Sequence, residues 1–192
     1  YQDLNGKYWY GTRDGDLHIC DSIQHQLYSH RIADGLPFTI AEDTSGYKWL
    51  GTKGGGLLIL SPEGNKIIKE YNREKKTFSS SNIFTVMRDN KDRMWLATFG
   101  GGLQLAEGPR EQLTFKQFNL GNKQQGMMRS MIQDKTGFIW IGTNDGIIVF
   151  EPDELIKDQR KFKVLHLQAE DQQSLGHNEI KVIFEDTKGR IW

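Results

Sequence analysis

The chain has 192 residues, with 25 basic side chains against 25 acidic ones, so its formal net charge is zero. That balance excludes the basic excess of a nucleic-acid binder, and an aromatic content of 11% with five Trp excludes an acidic disordered tail. No window nears the roughly 18 apolar residues of a membrane helix, residues 1–25 lack a signal peptide's basic start and apolar core, and the single Cys20 leaves no internal disulfide or Cys-based zinc site.

The remaining signal is repetition, carried by the 21 Gly and the Trp residues. The tryptophans stand at Trp9, Trp49, Trp95, Trp140 and Trp192, with gaps of 40, 46, 45 and 52. Six residues before each is an aspartate: Asp3, Asp43, Asp89, Asp134 and Asp186. Three after that comes Gly6, Gly46, Gly137 or Gly189, with Asp92 in the third unit. Three after the first four Trp come Thr12, Thr52, Thr98 and Thr143, followed by Gly15, Gly55, Gly101 and Gly146, then Leu17, Leu57, Leu103 and Ile148. The unit is apolar-x-x-Asp-x-x-Gly-x-x-Trp-x-Gly-Thr-x-x-Gly-x-Leu, and it divides the chain at about 1–36, 37–81, 82–126, 127–178 and a partial 179–192.

In chain order, outer strands are expected at Lys66–Tyr71 and Thr114–Phe118, and the polar run Ser79–Asn82 leads into the third unit. In the fourth unit Ser130–Gln133 reads as a first strand, and Asp134-Lys135-Thr136-Gly137 as a turn whose Asp caps backbone amides. Phe138–Thr143 reads as a second strand, Asn144-Asp145-Gly146 as a hairpin and Ile147–Phe150 as the returning third strand. The insertion Glu151–Arg160 is expected to hold a helical turn before a fourth strand at Lys161–His166. Four antiparallel strands per 46 residues, apolar on both faces, predict an all-β fold: a β-propeller of about four four-stranded blades. Both ends carry the same Asp-to-Trp segment, and closing the ring would put two copies where one fits. The expectation is an incomplete arc of a larger propeller with about seven blades.

The repeated residues read as framework, not chemistry. Asp43, Asp89 and Asp134 recur once per unit, as turn caps must, whereas catalysis needs one or two carboxylates in separate environments. Trp49, Trp95 and Trp140 read as inter-blade core, and Thr52, Thr98 and Thr143 as hairpin residues. The Gly54-Gly55-Gly56 and Gly100-Gly101-Gly102 runs lack the Lys-Ser/Thr of a phosphate loop. Five His, including His18-x-Cys20 and His25, offer no second ligand pair for a metal, and Asp89-Asn90-Lys91-Asp92 has a Lys at a calcium-ligand position. No nucleophile motif is present, and no catalytic residue, metal or cofactor is expected. A ligand is expected at the mouth of the channel, on the hairpin residues Arg13, Lys53, Phe99 and Asn144 and the lead-in residues Asn82, Arg129, His177 and Asn178. These differ from unit to unit, as a non-symmetric ligand requires, and variable surface loops with no ligand give the same pattern.

The run from Asp134 to Ile147, with Asp43–Leu57 and Asp89–Leu103, resembles the two-component regulator propeller repeat, as do the lead-ins Ser80-Ser81-Asn82-Ile83 and Leu175-Gly176-His177-Asn178. The resemblance spans essentially the whole chain. It departs at Ala97, Asp92, Asp16 and Tyr8-Trp9-Tyr10. It implies the periplasmic sensor region of a hybrid two-component histidine kinase from glycan-degrading bacteria, followed in the family by an immunoglobulin-like domain, a membrane span, a kinase core and often a receiver with a DNA-binding domain. By resemblance the ligand is an oligosaccharide and the intact receptor a homodimer, tethered to the inner membrane only through regions outside this segment; the segment itself contacts no nucleic acid. Two alternatives stand beside this: a protein-interaction or dimerisation propeller without a small ligand, and a streptogramin-lyase-like propeller enzyme, which shares the Asp-Gly-x-x-Trp character but not the Gly-Thr-x-x-Gly-x-Leu hairpin.

Overall fold

The computed structural model describes residues 1–21, 27–32, 35–72, 80–122, 126–168 and 174–192; His25 and Ser79 lie outside them. The described strands form four antiparallel meanders. The first sheet holds β1 (Tyr8–Gly11), β2 (Asp16–Cys20) and β3 (Leu27–Arg31), and the second β4 (Leu36–Glu42), β5 (Lys48–Lys53), β6 (Leu57–Leu60) and β7 (Ile67–Tyr71). The third holds β8 (Ile83–Arg88), β9 (Met94–Thr98), β10 (Leu103–Glu107) and β11 (Thr114–Phe118). The fourth holds β12 (Met128–Gln133), β13 (Ile139–Thr143), β14 (Ile147–Phe150) and β15 (Lys163–Leu165), with helix α1 (Pro152–Lys157) between the last two. Three of the sheets thus have the four strands expected. In the first, the inner place beside β1 is taken by Tyr1 and Gln2: Trp9 N–H donates to Tyr1 O at 2.7 Å, and Gln2 bridges to Tyr8. The sheets stand as an arc of β-propeller blades, with β4 against β8 and β8 against β12.

β5 and β9 are buried along nearly their whole length because each sheet is covered on both faces. The core is three layers, one between each pair of neighbouring sheets. Trp9, Leu17 and Ile19 meet Leu50, Leu58 and Leu60; Trp49, Leu57 and Tyr71 meet Val86, Met94 and Leu96; Trp95, Leu105 and Phe118 meet Ile139, Ile148 and Phe150. In each layer the Trp of one repeat packs on the next sheet.

The Asp turn explains how that Trp is aimed. Asp89 Oδ1 accepts the backbone N–H of Lys91 (2.9 Å) and Arg93 (3.0 Å), closing the turn, while Oδ2 accepts Trp95 Nε1–H at 2.8 Å. The same indole bond recurs at Asp3–Trp9 (2.9 Å), Asp43–Trp49 (3.0 Å), Asp134–Trp140 (2.6 Å) and Asp186–Trp192 (3.1 Å). The hydroxyls of Thr52, Thr98 and Thr143 close the hairpins by donating to Gly56 O, Gly102 O and Gly146 O at 2.7–2.8 Å. Gly146 is required there: its φ is +92°, and a Cβ would lie 2.3 Å from Leu165 O.

A second device joins the sheets. In the second, third and fourth sheets the connection between the third and fourth strands reaches back as a strap onto the Asp turn of the preceding sheet or onto the Trp that the turn holds. In the second sheet that strap places Gly64 on Trp9, so closely that a Cβ would lie 2.1 Å from the indole, and its carbonyl meets His30 Nε2. In the third sheet the 3-10 turn Arg110–Gln112 reaches back: Arg110 Nε donates to Asp43 Oδ2 at 2.6 Å, and its guanidinium lies 4.2 Å from the Tyr47 ring centroid. In the fourth, Asp153 of α1 accepts from Arg93 at 2.6 Å and from Lys91. Between the first two sheets a fully buried Lys48 adds a charge lock, 3.1 Å from Glu42 Oε1 and 3.4 Å from Asp3 Oδ2.

Candidate functional site

The hairpin between the second and third strands of each sheet lies along the lead-in of the next. Gly54 and Gly56 N–H both donate to Ser81 O at 3.0 Å, Gly100 N–H to Gly126 O at 3.0 Å and Gly146 N–H to Asn178 O at 2.6 Å, while Phe99 N–H donates within its own blade, to Asn82 O at 2.9 Å. This backbone ladder fixes one edge of the arc. Lys53 pairs with Asn82 and Phe99 with Met127 in isolated bridges on that edge.

At the same edge each inner strand carries a register shift against its partner: between Pro37 and Thr39, between Ile83 and Thr85, and between Met128 and Ser130. The extra residue is Phe38, Phe84 and Arg129 in turn. A bulge leaves its residue outside the ladder and re-aims the side chain. Here the bulged side chains form a continuous track. Phe38 and Phe84 meet edge-on at 4.7 Å between centroids, Phe84 meets Phe99 at 5.4 Å, and the Arg129 guanidinium lies 5.2 Å from the Phe99 centroid. Arg129 Nε also donates to Asn144 Oδ1 at 2.7 Å, and its NH2 lies 3.3 Å from Glu179 Oε1. Asn144 Nδ2 in turn donates to Met127 Sδ at 3.3 Å. Phe38 remains 49% exposed at the apolar end. The track therefore offers aromatic surface at one end and a guanidinium, an amide and a carboxylate at the other, the donor and acceptor set that polyhydroxylated molecules use.

The eight candidate residues divide on this map. Phe99, Arg129 and Asn144 come together, with Asn82 beside them through its backbone. Arg129 stands on β12, not in a lead-in loop. Lys53 is exposed at the end of β5, and Arg13 is exposed on the first hairpin without a contact to the track. Asn178 anchors backbone, its carbonyl taking Gly146 N–H and its Oδ1 taking Leu167 N–H at 2.6 Å, while His177 Nδ1 takes Glu179 N–H at 2.9 Å. Phe38, Phe84 and Glu179 are additions that the sequence reading missed. A signal existed: Phe38, Phe84, Arg129 and Lys181 each stand five residues before a repeat Asp. Among the described residues no cluster of three His, Cys, Asp or Glu is placed to hold a metal ion, and no helix is long and apolar enough to cross a membrane.

Comparison with known proteins follows the same lines. No curated protein matches the chain. The extracellular domain of a hybrid two component system of B. thetaiotaomicron is similar over 96% of this chain and 26% of its own, with 24% identity and a TM-score of 0.60. A second such domain from that organism is similar over 100% of this chain and 36% of its own, with 17% identity and a TM-score of 0.56. Virginiamycin B lyase from Staphylococcus aureus, an enzyme, is similar in fold over 100% of this chain and 60% of its own, at 11% identity and a TM-score of 0.69. The chain thus spans about a quarter to a third of the length of the two sensor-system domains. The two component regulator propeller model matches residues 77–100 and 123–145, which hold the lead-ins, Asp turns and hairpins of the third and fourth blades. The chain is therefore an arc of β-propeller blades, of which the third and fourth carry matches to the two component regulator propeller repeat.

Proposed function

We propose that this arc belongs to the extracytoplasmic, periplasmic sensor region of a hybrid two-component histidine kinase, and that an oligosaccharide binds along Phe38, Phe84, Phe99, Arg129 and Asn144. One observation carries the reading. A frame repeated in each blade carries Phe38, Phe84 and Arg129 at one bulged position, and these are joined across blades by the Phe38–Phe84 contact and, through the hairpin Phe99, to Arg129. An asymmetric track on a symmetric frame suits an extended, non-symmetric ligand. Pyranose C–H faces suit the Phe rings, and ring hydroxyls suit the Arg129, Asn144 and Glu179 groups. In an intact receptor the ligand would act by binding one arrangement of paired ectodomains better than the other, which is all that a population shift requires. The segment would be a binding module, not an enzyme. The likeness to virginiamycin B lyase is one of fold at 11% identity.

Calorimetric titration against an oligosaccharide panel, with wild type, Phe84→Ala and Arg129→Ala, tests the reading. Saturable binding weakened at least about tenfold by either substitution, the loss of roughly 1.4 kcal/mol or more, is the expected result. Binding that neither substitution changes overturns the site. No binding across the panel favours the protein-interaction reading.

A further inference from the structure

In the second and third blades the residue four places after the repeat Asp is matched by what the next blade's strap brings to the turn. In the third blade that residue is Arg93, whose Nε donates to Asp89 Oδ2 at 2.6 Å, and the strap brings an acid, Asp153. In the second it is an aromatic, Tyr47, and the strap brings Arg110, which stacks on the ring and bonds Asp43 Oδ2. The partial fifth repeat has Arg190 bonded to its own Asp186 at 2.6 Å, like the third.

The fourth blade follows the second. Phe138 stands where Tyr47 does and is 41% exposed. Asp134 Oδ2 holds Trp140 as Asp43 holds Trp49. Over them lies a cleft of about 630 Å³ walled by Phe138, Trp140, Val149, Phe162 and Leu165. Arg160 on its border is held by Asp158, at 3.0 and 3.1 Å. Lys163, also on the cleft, is paired with Val149 opposite Trp140, the register that Lys116 has opposite Leu105 and Trp95. Lys116 donates to a strap carbonyl, Ile156 O, at 3.2 Å.

We propose that this cleft is a socket for a strap from a blade of the same repeat, and that the strap carries an arginine. Its guanidinium lies over Phe138 and bonds Asp134 Oδ2, while Lys163 takes a strap carbonyl. The occupant follows from continuity with the interface already present between the second and third blades, where aromatic, aspartate and indole stand in the same places and Arg110 fills them. The inference is independent of any oligosaccharide.

The test uses the whole chain and, as probe, a peptide of residues 107–114, which contains Arg110 and its turn. The Trp140 indole N–H resonance, assigned with Trp140→Phe, is followed as the peptide is added. The expected result is a saturable shift of the Trp140 signal, with the signals of the covered Trp49 and Trp95 unmoved. A peptide with Arg110→Ala should bind about five- to tenfold more weakly, as loss of one charge-assisted contact implies. Phe138→Arg should supply the guanidinium from within, as Arg93 does, raising the unfolding temperature and abolishing the peptide response. No shift with either peptide, equal shifts with both, or an unchanged response in Phe138→Arg overturns the socket.

Discussion

Trp95 Nε1–H donates to Asp89 Oδ2 at 2.8 Å, and both side chains are almost fully out of water. One carboxylate therefore does two things: Oδ1 closes a turn and Oδ2 fixes an indole against the neighbouring sheet. Trp95→Phe removes the indole's donor and part of its contact with Phe118 and Phe150. The cost should be about 2–4 kcal/mol, a cavity and a lost bond to a charged acceptor together. Trp140→Phe, on the cleft of the fourth blade, should cost clearly less. Urea denaturation of the two variants checks the ranking, and equal costs would count against the inter-blade role of Trp95.

Lys48 is a buried cation between Asp3 and Glu42, within 5.4 Å of the Trp9 ring centroid. Glu42 also accepts Tyr1 O–H at 3.3 Å; burial, with the nearby Glu42 charge, pushes the Tyr1 phenol up to about 12. Lys48→Met leaves two carboxylates facing each other without a counter-charge and should destabilise the chain by about 3–5 kcal/mol. Adding Glu42→Gln should recover a large part of that loss. A double-mutant cycle by chemical denaturation measures it, and strictly additive losses would show that the three groups do not act as one lock.

Asp92 holds φ at +62°, where the other four turns have Gly at +78° to +94°. A side chain in that region is strained, although Asp tolerates it better than most. Its ion pair with Arg88, at 3.5 Å and largely exposed, offsets little. Asp92→Gly should therefore stabilise the chain by about 0.5 kcal/mol and Asp92→Ala should destabilise it by a similar amount or more, net of Gly's greater unfolded-state entropy. Thermal unfolding of both variants side by side reads the sign.

That turn shows what local sequence carries. Asp, Gly and Trp at fixed spacing define the turn and its strands because turn chemistry and β-propensity act within a few residues. The strands Thr114–Phe118 and Ile147–Phe150 lie where their apolar runs place them, and the insertion after Phe150 holds a short helix with Pro152 in its first turn and a cap from Glu151. The bulge at Phe38, Phe84 and Arg129 was not read, because an extra residue in a ladder shows only against its partner strand. The Asp–Trp bond was missed because the turn cap already gave the Asp a sufficient role. Arg110 on Asp43 and Asp153 on Arg93 join residues 67 and 60 apart, and that pairing depends on which blade faces which. Of the site, Phe99, Arg129 and Asn144 were legible as residues that differ between otherwise equal repeats.

The repeat carboxylates also set a pH dependence. Burial alone would raise the Asp43 carboxyl, but bonds from Arg110, Trp49 and Ser45 N–H outweigh it and hold it below its ordinary 3.8. Asp3 and Asp134 are held below that value in the same way, burial being outweighed at Asp3 by the Trp9 indole and the turn amides, and at Asp134 by the Thr136 hydroxyl, the Trp140 indole and the turn amides. Asp186 is lowered to about 2, chiefly by the Arg190 amide. A group depressed in the native state binds fewer protons there than in the unfolded chain. Its contribution is therefore complete above the unfolded value near 3.8 and is lost as pH falls through the native one. The urea midpoint should stay level from neutral pH to about 5 on this account and fall steeply below about 4. Asp43→Asn should be less stable at neutral pH and should lose less than the wild type on acidification, because its contribution is already absent. An acid limb equally steep in Asp43→Asn would mean that the repeat carboxylates are not what acid undoes.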